Sequence, residues 1–576
     1  MAAAPSLESR VRRLALANAL EHGGEARAST VLAHLLAAEP ELRARAQELG
    51  RTVATVVDAV GHLSPDEQRS ELRALGAEPT LAPTAPASHG AEFPPLPGAV
   101  EGGVVLRLAP FPSGALHIGN ARMLFVNQHY QERYRAKLLL VFDDTVGSEE
   151  KVVEPEMFDV IRHDLELAGV HPDQVLYKSD RIPHHYPWAR EVIDRGAAYV
   201  CVCPAELLRE NRRAGRACAE RSQTLEATRT EWEGMLSGRY GPGEAVLRLR
   251  TDLADPDPAF RDRVLFRISD FDHPRVGHRY RVWPLLEFSW AVDDIELGIT
   301  HVLRGKDLVM EDRMEERIWS ILGKHGPPFL HWGLLKVREA KISKSKSYLE
   351  VKSGQYDGWA DPRTWSIASL DRRGISREAT RAFTLSFGMS LSDIEVPAET
   401  LYAENRSVID GTTPRRAFVP DPVKVVVDGY PADLATVELP NHPDRPELGR
   451  RSVPAGPEFY LPRKDLAAHP AEEIRLKDLL NVRLPASVPE GASELHAQFT
   501  SRENRRLPRI QWAGLVGAQR VDVLDVDGSH RSGIAEATLA TGRPRDIYQF
   551  ERVGFVRVEG DWVPGTSPVR VVFGHP

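Results

Sequence analysis

Apolar residues recur at helical spacing through residues 6–76, in RRLALANAL, in ASTVLAHLLA and in TVATVVDAVGHL. Gly23-Gly24 punctuates the first helix, and Ser64 before the acidic residues of SPDEQ reads as an N-cap followed by a first turn that suits the helix dipole. Residues 77–100 hold six prolines and little charge, which predicts a linker, either a free extended tether or an ordered loop lying on the next domain. An apolar run, Val104 to Leu108, is followed by a Pro/Gly-rich turn, a helix from about Ile118 to Tyr134, and a second apolar run from Leu138 to Phe142. Strands buried on both faces read this way, so the unit predicts the core of a doubly wound, Rossmann-type parallel sheet in a multidomain α/β chain. Alternating elements continue to about residue 330, and residues 360–400 again read as helical. Beyond about residue 415 the runs VKVVVDG, AGLVGAQRVDVLDV, VGFVRVEG and VRVVFG, set at short turn spacing, predict an antiparallel β-barrel or a pair of barrels.

The 576 residues suffice for about three to five domains. Hydrophobic residues at 42% and charged residues at 27% exclude a wholly disordered or fibrous chain. No apolar run approaches ~18 residues, so no membrane span is expected. The start, MAAAPSLESRVRR, lacks the apolar stretch of a secretory signal, and the chain reads as cytoplasmic. Lys plus Arg at 74 against Asp plus Glu at 82 gives −8, so binding to a nucleic acid has to use local basic patches. The three cysteines, Cys201, Cys203 and Cys218, are too few to staple a chain of this length.

Two loops carry chemistry. APFPSGALHIGN, Ala109 to Asn120, places prolines and glycines between a strand and a helix, which suits close approach of a nucleotide with its phosphates at the helix N-terminus. His117 and Asn120, three apart on one face, both donate hydrogen bonds. More than 200 residues later KISKSKS, Lys341 to Ser347, forms a cationic loop able to stabilise charge developing on a leaving pyrophosphate. Each loop alone is weak, since His117 can be structural and the lysines can be a solvated basic turn.

Together they resemble the HIGH and KMSKS signatures of class I aminoacyl-tRNA synthetases. RLAPFPSGALHIGNAR, VFDDT, YRVWPLLEF, AVDDIELGITHVLRGKD and YDGWADPRTWSIASLDRRGI resemble glutamyl-tRNA synthetases of the archaeal/eukaryotic branch, as do IRLKDLLNVRL and YQFERVGFVRVEG near the C-terminus. That branch has a glutaminyl-type β-barrel anticodon region, in keeping with the β-rich reading after residue 415. The resemblance implies a helical segment at 1–85, a Pro-rich linker at 86–100, catalytic-core halves at 101–196 and 276–335, and an acceptor-stem-binding insertion at 197–275. It further implies a KISKS and helical stem-contact region at 336–414 and an anticodon-binding barrel region at 415–576.

The reaction implied is ligation of glutamate to tRNA-Glu through an adenylate formed from ATP with Mg²⁺, with no protein nucleophile and with catalysis by positioning and charge stabilisation. Glutamyl and glutaminyl enzymes need tRNA before the adenylate forms, so no tRNA-free pyrophosphate exchange is expected. Carried over, Pro110, Gly114, His117, Gly119, Asn120, Lys341 and Lys344 serve ATP and its transition state; Arg107 contacts the glutamate, Asp143 its ammonium, and Arg304 its side-chain carboxylate. Asn120 stands for the second histidine of HIGH; its amide keeps a donor but cannot be cationic, so weakened activity is expected. Leu286 stands where the family usually has a tyrosine and Trp290 where a small or amide residue is common, which implies either a side-chain pocket remodelled for a glutamate analogue or specificity carried by other residues.

Related synthetases carry C-x-C…C-x-H in the insertion and can bind structural zinc; here Cys201, Cys203, Cys218 and Glu220 fill the pattern, with Glu220 in place of histidine. Zinc and three reduced structural cysteines both fit. Arg372, Arg373, Arg415, Arg416, Arg505, Arg506 and Arg509, the last near Trp512, are the expected RNA contacts. The N-terminal segment is expected to dock an accessory protein or to pack on the core. The alternative reading is a synthetase paralogue that binds tRNA or a partner, with altered amino-acid specificity or weak catalysis. A shortened enzyme that glutamylates a modified tRNA base is disfavoured by the β-rich C-terminal third.

Overall fold

The computed structural model describes residues 6–21, 26, 28, 31–32, 35, 46–75, 92–145, 152–340, 344–489, 491–560, 562–563 and 565–576. The chain divides into two compact units, Met1–His89 and Gly90–Pro576. Among the described residues no helix is long and apolar enough to cross a membrane.

The first unit contains helices Leu7–Glu21, Ala46–Gly61 and Pro65–Ala74. Val11, Leu16, Val53 and Val60 form part of its apolar core. The N-cap expected at Ser64 is present as a reciprocal capping box: Ser64 N–H donates to the Glu67 carboxylate at 2.8 Å, and Glu67 N–H donates to Ser64 Oγ at 3.4 Å. Gly23-Gly24 lies outside the described residues. So does most of the Pro-rich stretch. Its last part is an ordered loop on the core, with Tyr130 Oη donating to Pro94 O at 2.7 Å and Leu96 buried.

In the second unit the strands Val105–Leu108, Lys137–Phe142 and Gln174–Tyr177 pair in parallel, the first two largely buried and the third more exposed. Val302–Gly305 and Phe329–Trp332 form a second parallel pair. Thr300, just before it, brackets Val105: Thr300 N–H donates to Val105 O at 3.0 Å, and Val105 N–H donates to Thr300 Oγ1 at 2.9 Å. The chain thus winds outward in one direction from Val105–Leu108 and then resumes on its other side. That reversal is the switch point at which open α/β sheets bind ligands, beyond the carboxyl ends of the strands.

Between the halves sits an antiparallel meander of Ala198–Cys201, Val246–Leu249, Val264–Ile268 and Val282–Pro284. The insertion therefore runs past the expected limit of 275 to Pro284 before helix Leu286–Glu296 returns the chain to the core. Helices Ile367–Arg372, Arg377–Leu385 and Ala398–Ile409 fill the predicted helical stretch.

The C-terminal part is a pair of seven-stranded sheets. In one, Arg415–Arg416 occupies one edge and Phe418–Pro420 the other, with only Ala417 between them. In the other, the edges are Arg509–Ile510 and Ala513–Gly514, separated by Gln511 and Trp512. Edges one or two residues apart in sequence must be adjacent in space, so each sheet curls into a barrel. Most strand pairs in these barrels are antiparallel, as expected, and four pairings are parallel. Pro422–Asp428 runs parallel to Glu494–Ser501, and Gln519–Leu524 parallel to Val569–His575. The short edge strands Arg415–Arg416 and Arg509–Ile510 also pair in parallel.

Candidate functional site

A cavity of about 480 Å³ opens at the switch point. Arg107 and Ala109 reach it from the first strand and its following loop, Gly119 and Asn120 from the signature turn, and Asp143 from the end of the second strand. Leu286 and Trp290 come from helix Leu286–Glu296, and Leu303 and Arg304 from the strand across the switch. Arg267 enters from the insertion sheet, where it stands in register with Trp283.

His117 caps the short helical turn Ile118–Asn120: its Nδ1 accepts from Gly119 N–H at 3.1 Å, and Asn120 Oδ1 accepts from His117 N–H at 3.2 Å. A neutral imidazole accepting at Nδ1 carries its proton on Nε2, so the ring is held as a donor. The turn is pinned by Ile118 N–H to Trp365 O at 3.0 Å and Ile367 N–H to Leu116 O at 2.8 Å. Trp365 is buried with φ +52°, a conformation that a bulky residue adopts only when its surroundings impose it. Pro110 and Gly114 are buried in the loop backbone; Pro110 O accepts from Asp143 N–H at 3.1 Å, joining the loop to the second strand's end.

Lys341 lies outside the described residues. Lys344 opens helix Lys344–Lys352. Tyr348 of that helix donates to the Glu154 carboxylate, and Glu154 N–H donates to Pro112 O at 3.1 Å. The helix that follows the lysine loop is thereby tied to the signature turn.

The three charged residues expected to hold the amino acid, Arg107, Asp143 and Arg304, are all paired within the protein. Arg107 donates to both oxygens of buried Asp294, at 2.5 and 2.9 Å, and its guanidinium lies 3.6 Å from the centre of the Trp290 ring. Asp143 is 3.2 Å from the ammonium of Lys178, which is wholly buried, donates to Ser289 Oγ at 2.6 Å and sits 3.4 Å from the same indole. Burial pushes the Lys178 ammonium down, against the pull of Asp143 and Asp293. Burial alone would raise Asp293, yet His185, Lys178 and Arg181 together hold it down at about 2. Arg304, expected to meet the side-chain carboxylate, lines the cavity and is at the same time bound by two acids of the protein. Its Nε donates to Asp312 Oδ1 at 2.8 Å and its Nη1 to Glu315 Oε1 at 3.0 Å, and both acids are buried. Burial pushes the Glu315 carboxyl up to about 8 despite that arginine. Asp144, beneath the site, accepts from Ser179 N–H at 2.9 Å and Ser179 Oγ at 2.6 Å, and burial raises it to about 6.

Sequence reasoning missed Lys178, Asp294, Asp312 and Glu315. Asp293-Asp294 inside the apolar stretch SWAVDDIELG carried a signal, because acids in a buried helix must find cations. Asp312 and Glu315 in EDRMEER read like any solvated helix face.

The insertion brings Cys201, Cys203, Cys218 and Glu220 together, with one donor atom from each within 4.8 Å of the others. Cys201 and Cys218 sulfurs are 3.8 Å apart, and Arg248 Nη1 lies 3.7 and 3.9 Å from them. Burial pushes the Cys203 and Cys218 thiols up, and the set of three sulfurs and a carboxylate suits a tetrahedral Zn²⁺.

The basic set is largely structural, which corrects its reading as an RNA surface. Arg373 is fully buried and donates to Tyr402 Oη and Gly574 O, both at 2.8 Å. Arg372 is bound to Glu559; Arg415 and Arg416 are buried on Asp410 and Asn441. Trp512 lies in a barrel core and donates to Lys477 O at 2.8 Å, so it offers no stacking face. Arg505 pairs with Glu473, while Arg506 and Arg509 are exposed.

Residues 103–410 match the catalytic domain of the class I (E and Q) tRNA synthetases and residues 413–500 their anticodon-binding domain. The chain is 38% identical over 569 residues to a protein of Pyrococcus abyssi named glutamate–tRNA ligase, covering 97% of this chain and 98% of that one. It is 39% identical to the protein of that name from Pyrococcus horikoshii, covering 95% and 97%, and 37% identical to that of Methanothermobacter marburgensis, covering 98% and 99%.

Proposed function

The chain belongs to the class I tRNA synthetases of the E and Q type, and from that premise we propose that it is a glutamate–tRNA ligase, joining glutamate to tRNA-Glu through a glutamyl-adenylate. The observation that carries the reading is the cavity at the switch point, which joins the capped His117–Asn120 turn to Arg107, Asp143 and Arg304. ATP lies along the signature turn, its phosphates toward the N-terminus of helix Ala121–Tyr134 and its charge met by Asn120, the His117 Nε2 donor and the lysines of the KISKS loop, Lys341 and Lys344. Mg²⁺ accompanies the phosphates and offsets their charge. The amino acid's ammonium faces Asp143 and its carboxylate the outer edge of Arg107. The carboxylate oxygen attacks the α-phosphorus and pyrophosphate leaves; the terminal ribose hydroxyl of tRNA then takes the aminoacyl group. The chain supplies position and charge at each step.

Arg506 and Arg509 are the members of the arginine set open to RNA, beside the barrel strand Arg509–Ile510. Cys201, Cys203, Cys218 and Glu220 hold a structural Zn²⁺ that stiffens the acceptor-stem insertion; metal analysis should give one zinc per chain, and its absence from protein purified without chelator refutes the site. The cytoplasm is the expected compartment. The function is tested by charging tRNA-Glu with radiolabelled glutamate and ATP, releasing AMP and pyrophosphate, with pyrophosphate exchange measured with and without tRNA. Glutamyl-tRNA formation with exchange only in the presence of tRNA is expected. Binding of tRNA with neither exchange nor charging leaves a binding paralogue instead.

A further inference from the structure

We propose that Asp312 and Glu315 are specificity-determining residues which cancel the charge of Arg304, so that the cavity accepts glutamate-shaped amino acids with an uncharged distal group, a γ-carboxamide or γ-ester, alongside glutamate. The inference rests on the ligase reading above.

Arg304 is the cation expected to meet the side-chain carboxylate, and most of its N–H donors are engaged by two buried acids. Nε and Nη2 are on Asp312 Oδ1, and Nη1 and Nη2 both reach Glu315 Oε1 at 3.0 Å. The Phe329 ring lies 4.6 Å from its guanidinium carbon. Asp312 is fixed in turn by His331, whose Nε2 is 2.8 Å from Oδ2. Leu286, Leu303, Leu308 and Trp332 line the same cavity, and Arg267 and Asp307 add one charge of each sign to its wall. A carboxylate entering here is stripped of water and meets a cation whose charge is already balanced. A neutral amide or ester needs only hydrogen bonds and surrenders far less hydration. A bare arginine rejects the neutral analogue; an arginine balanced by internal acids loses that preference. Burial pushes the Glu315 carboxyl up, whereas His331 and Arg304 hold Asp312 down against its own burial, so Asp312 is the stronger counter-charge.

The experiment measures kcat/KM for charging tRNA-Glu with glutamate, glutamine and glutamate γ-methyl ester by the wild type, Asp312→Asn and Glu315→Gln, each checked for folding by thermal melting. The wild type should use all three within a hundredfold. Asp312→Asn, which uncovers Arg304, should shift the ratio toward glutamate by at least tenfold, and Glu315→Gln by less. A wild-type preference for glutamate above a hundredfold, or well-folded variants with an unchanged ratio, overturns the inference and leaves the ligase standing. Failure to charge any of the three removes both readings. Should the variants not fold, the wild type decides: its inhibition constants for glutamyl- and glutaminyl-sulfamoyl adenosine should lie within a hundredfold, and a wider gap refutes the proposal.

Discussion

Asp144 shows how much one buried carboxyl can report. It is enclosed, hydrogen-bonded by Ser179, and raised from 3.8 to about 6 chiefly by burial. An acid with a raised folded pKa binds more protons folded than unfolded, so its contribution is complete below pH 3.8 and is lost as pH rises through about 6. Asp144→Asn removes that dependence. Denaturant unfolding at pH 4 and at pH 7 should show wild type losing of order 2–3 kcal/mol relative to the variant across this interval, at 1.36 kcal/mol per pKa unit. Parallel stability profiles for the two proteins would mean that Asp144 ionises normally. The same residue scale marks what the sequence hides. Arg107, Asp143 and Arg304 are recognisable as cavity residues from the motifs around them. Their partners Asp294, Lys178 and Asp312 are not, because pairing depends on which chain segments meet in space, and a charged residue looks alike whether it faces water or another charge.

Elements were more legible than pairs. Val105–Leu108 and Lys137–Phe142 announce themselves because a parallel strand covered on both faces reads as a mainly apolar run, broken in the first only by Arg107, and the reciprocal Ser64–Glu67 cap lies within four consecutive residues. The arginine pairs misled because a dibasic step reads the same on a solvated face and in a clamp. Arg373 is such a clamp, joining the end of helix Ile367–Arg372 to the last strand through Gly574 O. Arg373→Met should lower unfolding stability by about 2–4 kcal/mol, with uncapped Gly574 and Tyr402 left behind, and leave tRNA affinity per folded molecule unchanged. Arg506→Ala and Arg509→Ala should do the reverse: melting temperature within a degree or two, tRNA binding weaker, and the salt dependence of log Kd reduced by about 1 for each phosphate no longer neutralised. Filter binding across a salt series separates the two patterns; equal melting losses in all three would deny Arg506 and Arg509 an RNA role.

At the scale of the molecule, the division into Met1–His89 and Gly90–Pro576 gives each part its own core. We propose that the first unit docks an accessory protein. A chain starting at residue 90 should then charge tRNA with kcat/KM within about threefold of the full protein while losing a co-purifying partner; insolubility of the shortened chain would instead make the first unit part of the core's packing. The two barrels carry a different lesson. Each is sealed by a step across Ala417, or across Gln511 and Trp512, too short to absorb an added residue. Surface hairpins such as Asp525–Gly528 can lengthen at small cost, whereas a single insertion at either seam would unzip the cylinder and lay bare two rows of unmet amides and carbonyls. The harm would spread from molecule to molecule, as one chain's open border becomes the template for the next.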